Sequence, residues 1–290
     1  MEHSNSEARK GVYYALTAYF LWGISPLYWK ALTHLPLSEV FCHRILWSAL
    51  TCFIVISFFK KKVSFTKKNV LPLLATTFLI SINWVTYLYA INNNRLLEAS
   101  LGYFINPILN IVLGLIILKE KLGKLQWAAV TLAAFAVLNE IVTFGKLPWI
   151  SLLLAFSFGL YGLIRKMSSS NALISLTMEC SLLSIPASLF LGHLSFEEKG
   201  HFFLEWQHSL LFIGGGILTA LPLLFFGPAT KKIKYSTIGI IQYLAPTLHF
   251  ILAISLYNEP FQKGKFLTFI PIWIALFLYS FGGLLKEKSS

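Results

Sequence analysis

The stretch SEVFCHRILWSALTCFIVISFFKKK, residues 38–62, decides the fold of this chain. Its apolar part, 38–59, is long enough for an α-helix to cross about 30 Å of hydrocarbon. Three lysines follow directly, which is typical of the cytoplasmic end of a membrane helix. Arg44 is the exception within the apolar part, and its charge requires a polar environment. The stretch therefore predicts a transmembrane helix that ends in the cytoplasm.

Similar apolar stretches recur along the whole chain. The predicted spans are 11–30, 38–59, 70–91, 98–118, 125–143, 147–164, 172–192, 207–227, 235–257 and 266–285. With the N-terminus inside, seventeen of the 24 Lys and Arg residues fall in cytoplasmic gaps, six fall outside, and only Arg44 lies within a span. Because an excess of Lys and Arg marks the cytoplasmic side, the sequence predicts an all-α membrane protein. It has ten transmembrane helices and both termini in the cytoplasm.

Composition excludes an ordinary soluble domain, since 56% of residues are apolar, 12% are charged and none is Asp. The net charge of +12 lies mostly in cytoplasmic loops that face anionic lipid, so no nucleic-acid partner is expected. The polar start MEHSNSEARK leads into a full-length span without a cleavage site, which predicts a retained first helix. Cys42, Cys52 and Cys180 fall within spans and are expected to be reduced packing residues, and no metal or cofactor is expected.

The two halves of the sequence match at a nearly constant offset. At +136, TAYFLWGISPLYWK (17–30) aligns with LLAFSFGLYGLIRK (153–166), and at +139 Pro107 aligns with Pro246. Because each half holds five spans, the second copy enters the membrane from the opposite side. This arrangement is an inverted repeat, which is typical of transporters that work by alternating access. The predicted five-helix repeats are residues 1–144 and 145–290.

Six runs of the sequence resemble one known family. The runs are GVYYALTAYFLWGISPLYWKAL, EVFCHRILWS, NWVTYLYAINNN, LEASLGYFINPILNIVLG, SFGLYGLIRK and STIGIIQYLAPTLHFILAISLYNEPF. They resemble the RarD subgroup of the EamA-domain transporters, within the drug/metabolite transporter superfamily, over essentially the whole chain. LEASLGYFINP and QYLAPT are specific to the subgroup. The resemblance implies ten helices in two inverted EamA repeats, a multi-pass position in the bacterial inner membrane, and movement of small solutes.

Charged residues within the spans form the sharpest candidate for a substrate pathway. An arginine within a span costs about 2.5–3.5 kcal/mol on insertion scales, so we expect Arg44 to face a polar interior beside a partner. Its neighbour His43 aligns at +136 with Glu179. We therefore predict an ion pair between Arg44 and Glu179 that lines the pathway, or alternatively a static pair that locks two helices. If transport is coupled to protons, Glu179 or His43 is the predicted carrier.

Polar faces on two proline-containing spans, and a group of aromatic residues, supply further candidates. The pathway candidates on the fourth and ninth spans are Tyr103, Asn106, Asn110, Gln242 and His249, with helix kinks at Pro107 and Pro246. A candidate stacking wall for a small molecule consists of Trp22, Asn83, Trp84 and Tyr87. The alternative is that these polar groups only bridge neighbouring helices, as is common in membrane bundles.

Residues at the ends of spans are expected to have structural roles. The aromatic residues expected in the interfacial belt are Tyr28, Trp29, Trp149 and Trp206. Glu120 and Glu259 end the fourth and ninth spans, and we expect solvated helix ends there, with a gate or a helix-end contact as the alternative.

These patterns favour a secondary transporter for a small metabolite or drug-like solute. The expected partners are a small-molecule substrate, the lipid bilayer and a coupling proton. No GxxxxGK[ST] loop indicates ATP drive, and no HExxH, GxSxG or CxxC motif indicates an enzyme. Arg44 and His43 favour a substrate that bears a carboxylate or phosphate, such as an amino acid or another anionic metabolite, moved by an exporter or exchanger. The alternatives are an uptake facilitator or channel, or a membrane-embedded enzyme without transport activity.

Overall fold

A computed structural model describes residues 2–59, 70–117, 124–144, 147–168, 172–233 and 241–288. Within these ranges the regular structure is helical throughout, with a short 3₁₀ turn at Lys263–Lys265. The helices are α1 (Glu2–Lys30), α2 (Leu37–Phe58), α3 (Val70–Asn92), α4 (Leu96–Ile117), α5 (Lys124–Phe144), α6 (Trp149–Met167), α7 (Ala172–Phe196), α8 (Trp206–Lys232), α9 (Leu244–Ser255) and α10 (Phe266–Lys288).

Four helices of the described chain are long and apolar enough to cross a membrane by themselves. These segments are Leu37–Phe58, Val70–Asn92, Leu173–Phe196 and Trp206–Ala229. Shorter apolar helical segments are Trp127–Thr143, Trp149–Arg165 and Leu244–Ser255. The prediction of an all-helical membrane protein is confirmed.

The predicted ninth span, 235–257, lies partly outside the described residues, which resume at 241. Helix α9 begins at Leu244 after a turn at 242–243, and it has 12 residues. It is therefore about 18 Å long, shorter than the hydrocarbon thickness. Pro246 lies in its first turn, where a proline costs little, whereas in a helix interior its ring would clash with the carbonyl of Gln242. Pro107 instead lies inside α4, which continues past it.

Neighbouring helices follow a repeated pattern in the main contacts. Helix α1 packs on α8 and α9, and α6 packs on α3 and α4. Helix α2 packs on α8, and α7 packs on α3. The remaining main pairs are α2 with α7, α4 with α9, and α5 with α10. Each helix of the first five corresponds to the helix five positions later. When corresponding helices are exchanged, the contact of α1 with α8 becomes that of α6 with α3, and the other main contacts likewise become one another or stay the same.

Close approach of α2 and α8 depends on a glycine. A Cβ atom at Gly216 would lie 2.6 Å from the backbone nitrogen of Ser48 and would also overlap Trp47. Such a distance is too short for a real Cβ atom, so a larger residue would push the two helices apart. Gly216 thus fixes the spacing of the helix that carries Arg44.

Glu259 follows α9 and caps the start of α4. Its side chain is 7% exposed, and its carboxylate oxygens accept hydrogen bonds from the backbone N–H groups of Leu96 (2.6 Å) and Leu97 (2.8 Å). These N–H groups lack partners within their own helix and favour a negative charge. Burial raises the pKa of the Glu259 carboxyl, an effect that the two backbone hydrogen bonds oppose. The expectation of a solvated helix end is therefore wrong here, while Glu120 lies outside the described residues.

Candidate substrate-binding site

Arg44 lies where four helices meet. Helix α2 places it in the interior, where it is 7% exposed. The guanidinium carbon lies over the indole rings of Trp29 from α1 and Trp84 from α3, 4.6 and 4.5 Å from their centroids. Its Nε donates a hydrogen bond to Thr219 Oγ1 of α8 at 3.1 Å. Because cation–π contacts strengthen when they are desolvated, the two indoles stabilise a buried positive charge.

The charge of Arg44 is not balanced by a carboxylate in the described part of the chain. Its Nη1 is buried and has no hydrogen-bond partner there. A buried charge is costly unless it is paired, and a free donor on a buried cation suits an anionic ligand. The structure thus leaves the Nη1 donor of the guanidinium without a partner among the described residues.

Glu179 lies apart from Arg44, so the predicted ion pair is not formed among the described residues. Its carboxylate accepts a hydrogen bond from the Tyr161 hydroxyl at 3.2 Å, and its Oε1 is buried without a described partner. The cation that acts on it electrostatically is Arg165 of α6.

The physical reason is depth in the bundle. Glu39 at the start of α2 contacts His201, just beyond the end of α7, so the two helices run antiparallel. Arg44 and Glu179 are each the eighth residue of their helix. At 1.5 Å per residue, each lies about 10 Å from its own helix start, on opposite sides of the mid-depth of the bundle. The difference in depth keeps the two side chains from forming an ion pair.

His43 is held between aromatic rings at the same end of the bundle as Glu39. Its ring centroid lies 4.9 Å from that of Phe202 and 4.1 Å from that of Phe212, and its Nε2 is 3.9 Å from Glu39 Oε1. Glu39 is 1% exposed and accepts hydrogen bonds from the backbone N–H and the Nδ1 of His201, both at 2.7 Å. The buried Glu39 carboxylate is thus hydrogen-bonded to His201, and His43 lies farther from it.

Tyr87 and His249 form a second polar group close to Arg44. The Tyr87 hydroxyl lies 3.0 Å from Ser25 Oγ and 3.3 Å from His249 Nε2, and it interacts electrostatically with Arg44. His249 Nε2 also lies 3.1 Å from the carbonyl oxygen of Trp22, which can only accept. We therefore assign the proton of a neutral His249 to Nε2. Its Nδ1 is then a buried acceptor, and it has no partner in the described chain.

Other predicted site residues bridge helices. Asn83 of α3 donates to the Leu154 carbonyl and to Ser157 of α6, and Asn106 of α4 donates to the Ala155 carbonyl of α6. The amide of Asn110 donates to Asn106 at 3.2 Å. These bonds tie α3 and α4 to α6, as the alternative interpretation of the polar residues expects.

The remaining predicted residues divide between the site and its surroundings. The Tyr103 ring lies 6.0 Å from Tyr87 and 5.8 Å from His249, which brings these three predicted residues together. Trp22 instead packs against Tyr19 and Phe226, away from the Arg44 stack. Gln242 is half-buried in the turn before α9.

Two residues that hold Arg44 were missed by the sequence interpretation. Trp29 is 3% exposed, so its placement in the interfacial belt is wrong, whereas Trp149 and Trp206 are 40% and 71% exposed. The end of a span gave no signal that Trp29 turns inward. Thr219 did carry a signal, because it aligns at +136 with Asn83, a predicted site residue.

Comparisons with known proteins agree with this architecture. Residues 9–139 match the EamA-like transporter family. The uncharacterized transporter YojE of Bacillus subtilis is 41% identical over 303 residues, which cover 100% of this chain and 99% of YojE. Protein RarD of Escherichia coli is 39% identical over 288 residues, 97% of each chain. One crystal structure of a protein, only 13% identical, covers 92% of this chain and 97% of its own with a TM-score of 0.61, which shows a shared fold. By this full-length similarity, the chain belongs to the EamA-like transporter family.

Proposed function

We propose that the chain is a secondary transporter that moves a small organic anion across the bacterial inner membrane. The proposed cargo class includes amino acids and other anionic metabolites, and the proposed mode is export or exchange by alternating access. The observation that carries this proposal is Arg44, buried between Trp29 and Trp84 with its Nη1 unpartnered in the described chain. A transporter needs a site inside the bundle that is stable when occupied and releases its ligand on either side.

The helix contacts support two inverted repeats, residues 1–144 and 145–290, that interlock, because α1 packs on α8 and α9 of the second repeat and α6 packs on α3 and α4 of the first. The main contacts map onto one another when helix numbers are shifted by five. When two repeats are related by a pseudo-twofold axis in the membrane plane, each can adopt the conformation of the other. That exchange converts a state open to one side of the membrane into a state open to the other side. We propose ten membrane spans with both termini in the cytoplasm as the frame for that exchange.

Arg44 lies at the junction that such a motion would change. Its direct partners come from α1, α3 and α8, so both repeats contribute to its surroundings. Trp29 and Thr219 lie on α1 and α8, which pack closely on each other, whereas Trp84 lies on α3, which packs on α6. A motion between these two groups of helices would therefore change the position of Trp84 relative to Trp29 and Thr219.

Glu179 remains the proposed proton carrier. It is fully buried, and the Tyr161 hydroxyl at 3.2 Å is its first described hydrogen-bond donor. A carboxyl with few partners can take up and release a proton as its access to water changes. Transport by the unmodified protein should respond to an imposed pH gradient, and Glu179→Gln should abolish that response while exchange partly persists. Exchange that ignores pH between about 5.5 and 8 would instead assign Glu179 a structural role.

Counterflow in reconstituted vesicles tests the proposed function. Vesicles preloaded with an unlabelled amino acid or organic acid should accumulate the same labelled compound transiently and saturably. Arg44→Gln should remove this counterflow. The matched control is Arg95→Gln, since Arg95 lies outside the spans and pairs with Glu98 at 2.6 Å. Flux without saturation or trans-stimulation would indicate a channel, and no flux for the whole panel would contradict transport of organic anions.

A further inference from the structure

We propose that the Arg44 site selects substrates that carry a single carboxylate and no second negative charge, an inference that rests on the proposed function. The guanidinium carbon lies over the indole rings of Trp29 and Trp84, and its Nε donates a hydrogen bond to Thr219. The remaining part is the edge formed by the two Nη groups, of which Nη1 is buried without a described partner.

The shape of this edge matches a carboxylate. Two N–H groups of a guanidinium fork can meet the two oxygens of a carboxylate in parallel, and such charge-assisted bonds are short and strong. The indole rings of Trp29 and Trp84, 4.6 and 4.5 Å from the guanidinium carbon, occupy much of the space around it. Thr219 fixes its rotation, because turning the fork would break the 3.1 Å bond to Nε. A substrate must therefore present a flat anionic group in the guanidinium plane.

The positive charge of Arg44 further restricts the class of substrate that the site would bind. Arg44 is the one Lys or Arg of the sequence in the interior of a predicted span, since Lys30 is the last residue of the first span. A single carboxylate neutralises it. A phosphate monoester carries about −1.5 to −2 charges at pH 7, and a dicarboxylate carries two. Either would bring surplus negative charge into the bundle, where an unpaired charge is costly.

The surroundings of Arg44 agree with a substrate whose body is apolar or aromatic. The side chains that stack on it are indoles, and those that interact with it electrostatically include Tyr103 and Tyr87. Aromatic walls with a few polar groups suit an apolar or aromatic body. The expected substrate therefore combines one carboxylate with a body that can lie against aromatic rings.

Binding of small probe compounds to the purified protein tests this selectivity. Benzoate, benzamide and phenyl phosphate share a phenyl ring and differ in charge, and butyrate and succinate are matched in length. Benzoate and butyrate should raise the apparent melting temperature, with affinities about tenfold above those of their neutral or dianionic counterparts. Comparable binding of benzamide or phenyl phosphate would overturn the proposal, as would no binding of either monocarboxylate.

Variants that keep the positive charge distinguish recognition from folding. Arg44→Lys retains the charge and loses the planar fork, so its affinity for benzoate should fall about tenfold. Thr219→Val frees Nε and lets the guanidinium turn, so its affinity for benzoate should fall and its preference for benzoate over phenyl phosphate should decline. Arg95→Gln, which removes a charge outside the bundle, should bind as the unmodified protein does. Unchanged affinity in folded Arg44→Lys would contradict the proposal.

The two proposals fail in different ways. A protein that binds monocarboxylates selectively but shows no counterflow contradicts transport and supports the assigned selectivity. A protein that shows counterflow of a dicarboxylate or a phosphate ester through Arg44 supports transport and overturns the selectivity.

Discussion

At the scale of single residues, the sequence predicts that Arg44 needs a special environment and misjudges what provides it. The energetic cost of a charge within a span is a property of one residue, so it can be predicted from position alone. The partner is a property of the assembled bundle. Here Trp29 and Trp84 stabilise the charge through their ring faces, and aromatic residues are too common in this chain for the right two to be chosen in advance.

A double-mutant cycle measures the separation of Arg44 and Glu179. Arg44→Ala and Glu179→Ala should each destabilise the protein, since each removes a buried polar group from a different set of partners. Because the two side chains form no ion pair, their losses should add within about 0.3–0.5 kcal/mol. Thermal or denaturant unfolding in detergent provides the measurement. A coupling energy well above that range would indicate direct pairing in a populated state of the protein.

At the scale of helices, hydropathy and length predict most of the elements and leave two features undetermined. The start of α9 depends on Pro246, whose effect can be a kink, a break or nothing, according to where the preceding turn lies. The role of Glu259 depends on a contact with Leu96 and Leu97, more than 160 residues away in the chain. Local sequence patterns carry no information about such a distant contact.

The cap on α4 predicts a loss of stability in Glu259→Ala. Two buried backbone N–H groups would lose their acceptors, and each such loss costs about 1–3 kcal/mol. Glu259→Gln keeps one acceptor oxygen, so its stability should lie between that of the unmodified protein and that of Glu259→Ala. The matched control is Glu205→Ala. Glu205 is the N-cap residue of α8, and its side chain makes no capping hydrogen bond to that helix. Thermal unfolding in detergent provides the measurement.

The stability effect of Glu259 should also depend on pH. Burial raises the pKa of this carboxyl, so the folded protein binds the proton more tightly than the unfolded chain does. Its contribution to stability is therefore complete at low pH and is lost as pH rises through the folded pKa. The difference in melting temperature between the unmodified protein and Glu259→Gln should change with pH in that direction. A constant difference would contradict this assignment.

Helix spacing at Gly216 gives a second prediction about elements. Gly216→Ala should destabilise the protein by about 1–3 kcal/mol, because the new methyl group overlaps the backbone of α2 near Ser48. Gly227→Ala in the same helix is the control, since nothing lies within 4 Å of its added Cβ. The control should be neutral or slightly stabilising, as alanine favours helices over glycine. Equal effects of the two substitutions would contradict the close packing of α2 and α8.

At the scale of the whole molecule, the family and the all-helical architecture were predictable because they depend on patterns repeated along the chain. Ten apolar stretches, the alternation of Lys and Arg, and an offset of +136 are each supported by many residues. The arrangement of side chains around Arg44, by contrast, depends on only a few residues. The offset aligns Thr219 with Asn83, yet it could not show that the two side chains have different hydrogen-bond partners. Thr219 accepts from Arg44, whereas Asn83 donates to the Leu154 carbonyl.

Impermeant thiol labelling of intact cells tests the predicted topology. Cysteines introduced by Lys61→Cys or Lys232→Cys should remain unlabelled, because both positions are predicted to be cytoplasmic. Glu198→Cys should be labelled from outside. The native cysteines, Cys42, Cys52 and Cys180, are buried and should give a low background. Labelling at Lys232→Cys in sealed cells would contradict the inverted repeat.

The unbalanced charge of Arg44 has a further consequence, which concerns the membrane voltage. Moving one elementary charge through the full field is worth about 2.3 kcal/mol per 100 mV. An empty carrier holds a net positive charge at its site, whereas a carrier loaded with a monovalent anion is neutral there. Reorientation of the loaded form is therefore electrically silent, and reorientation of the empty form generates current. A negative interior favours the empty form that opens to the cytoplasm, which makes the resting voltage itself a determinant of which side receives the next substrate.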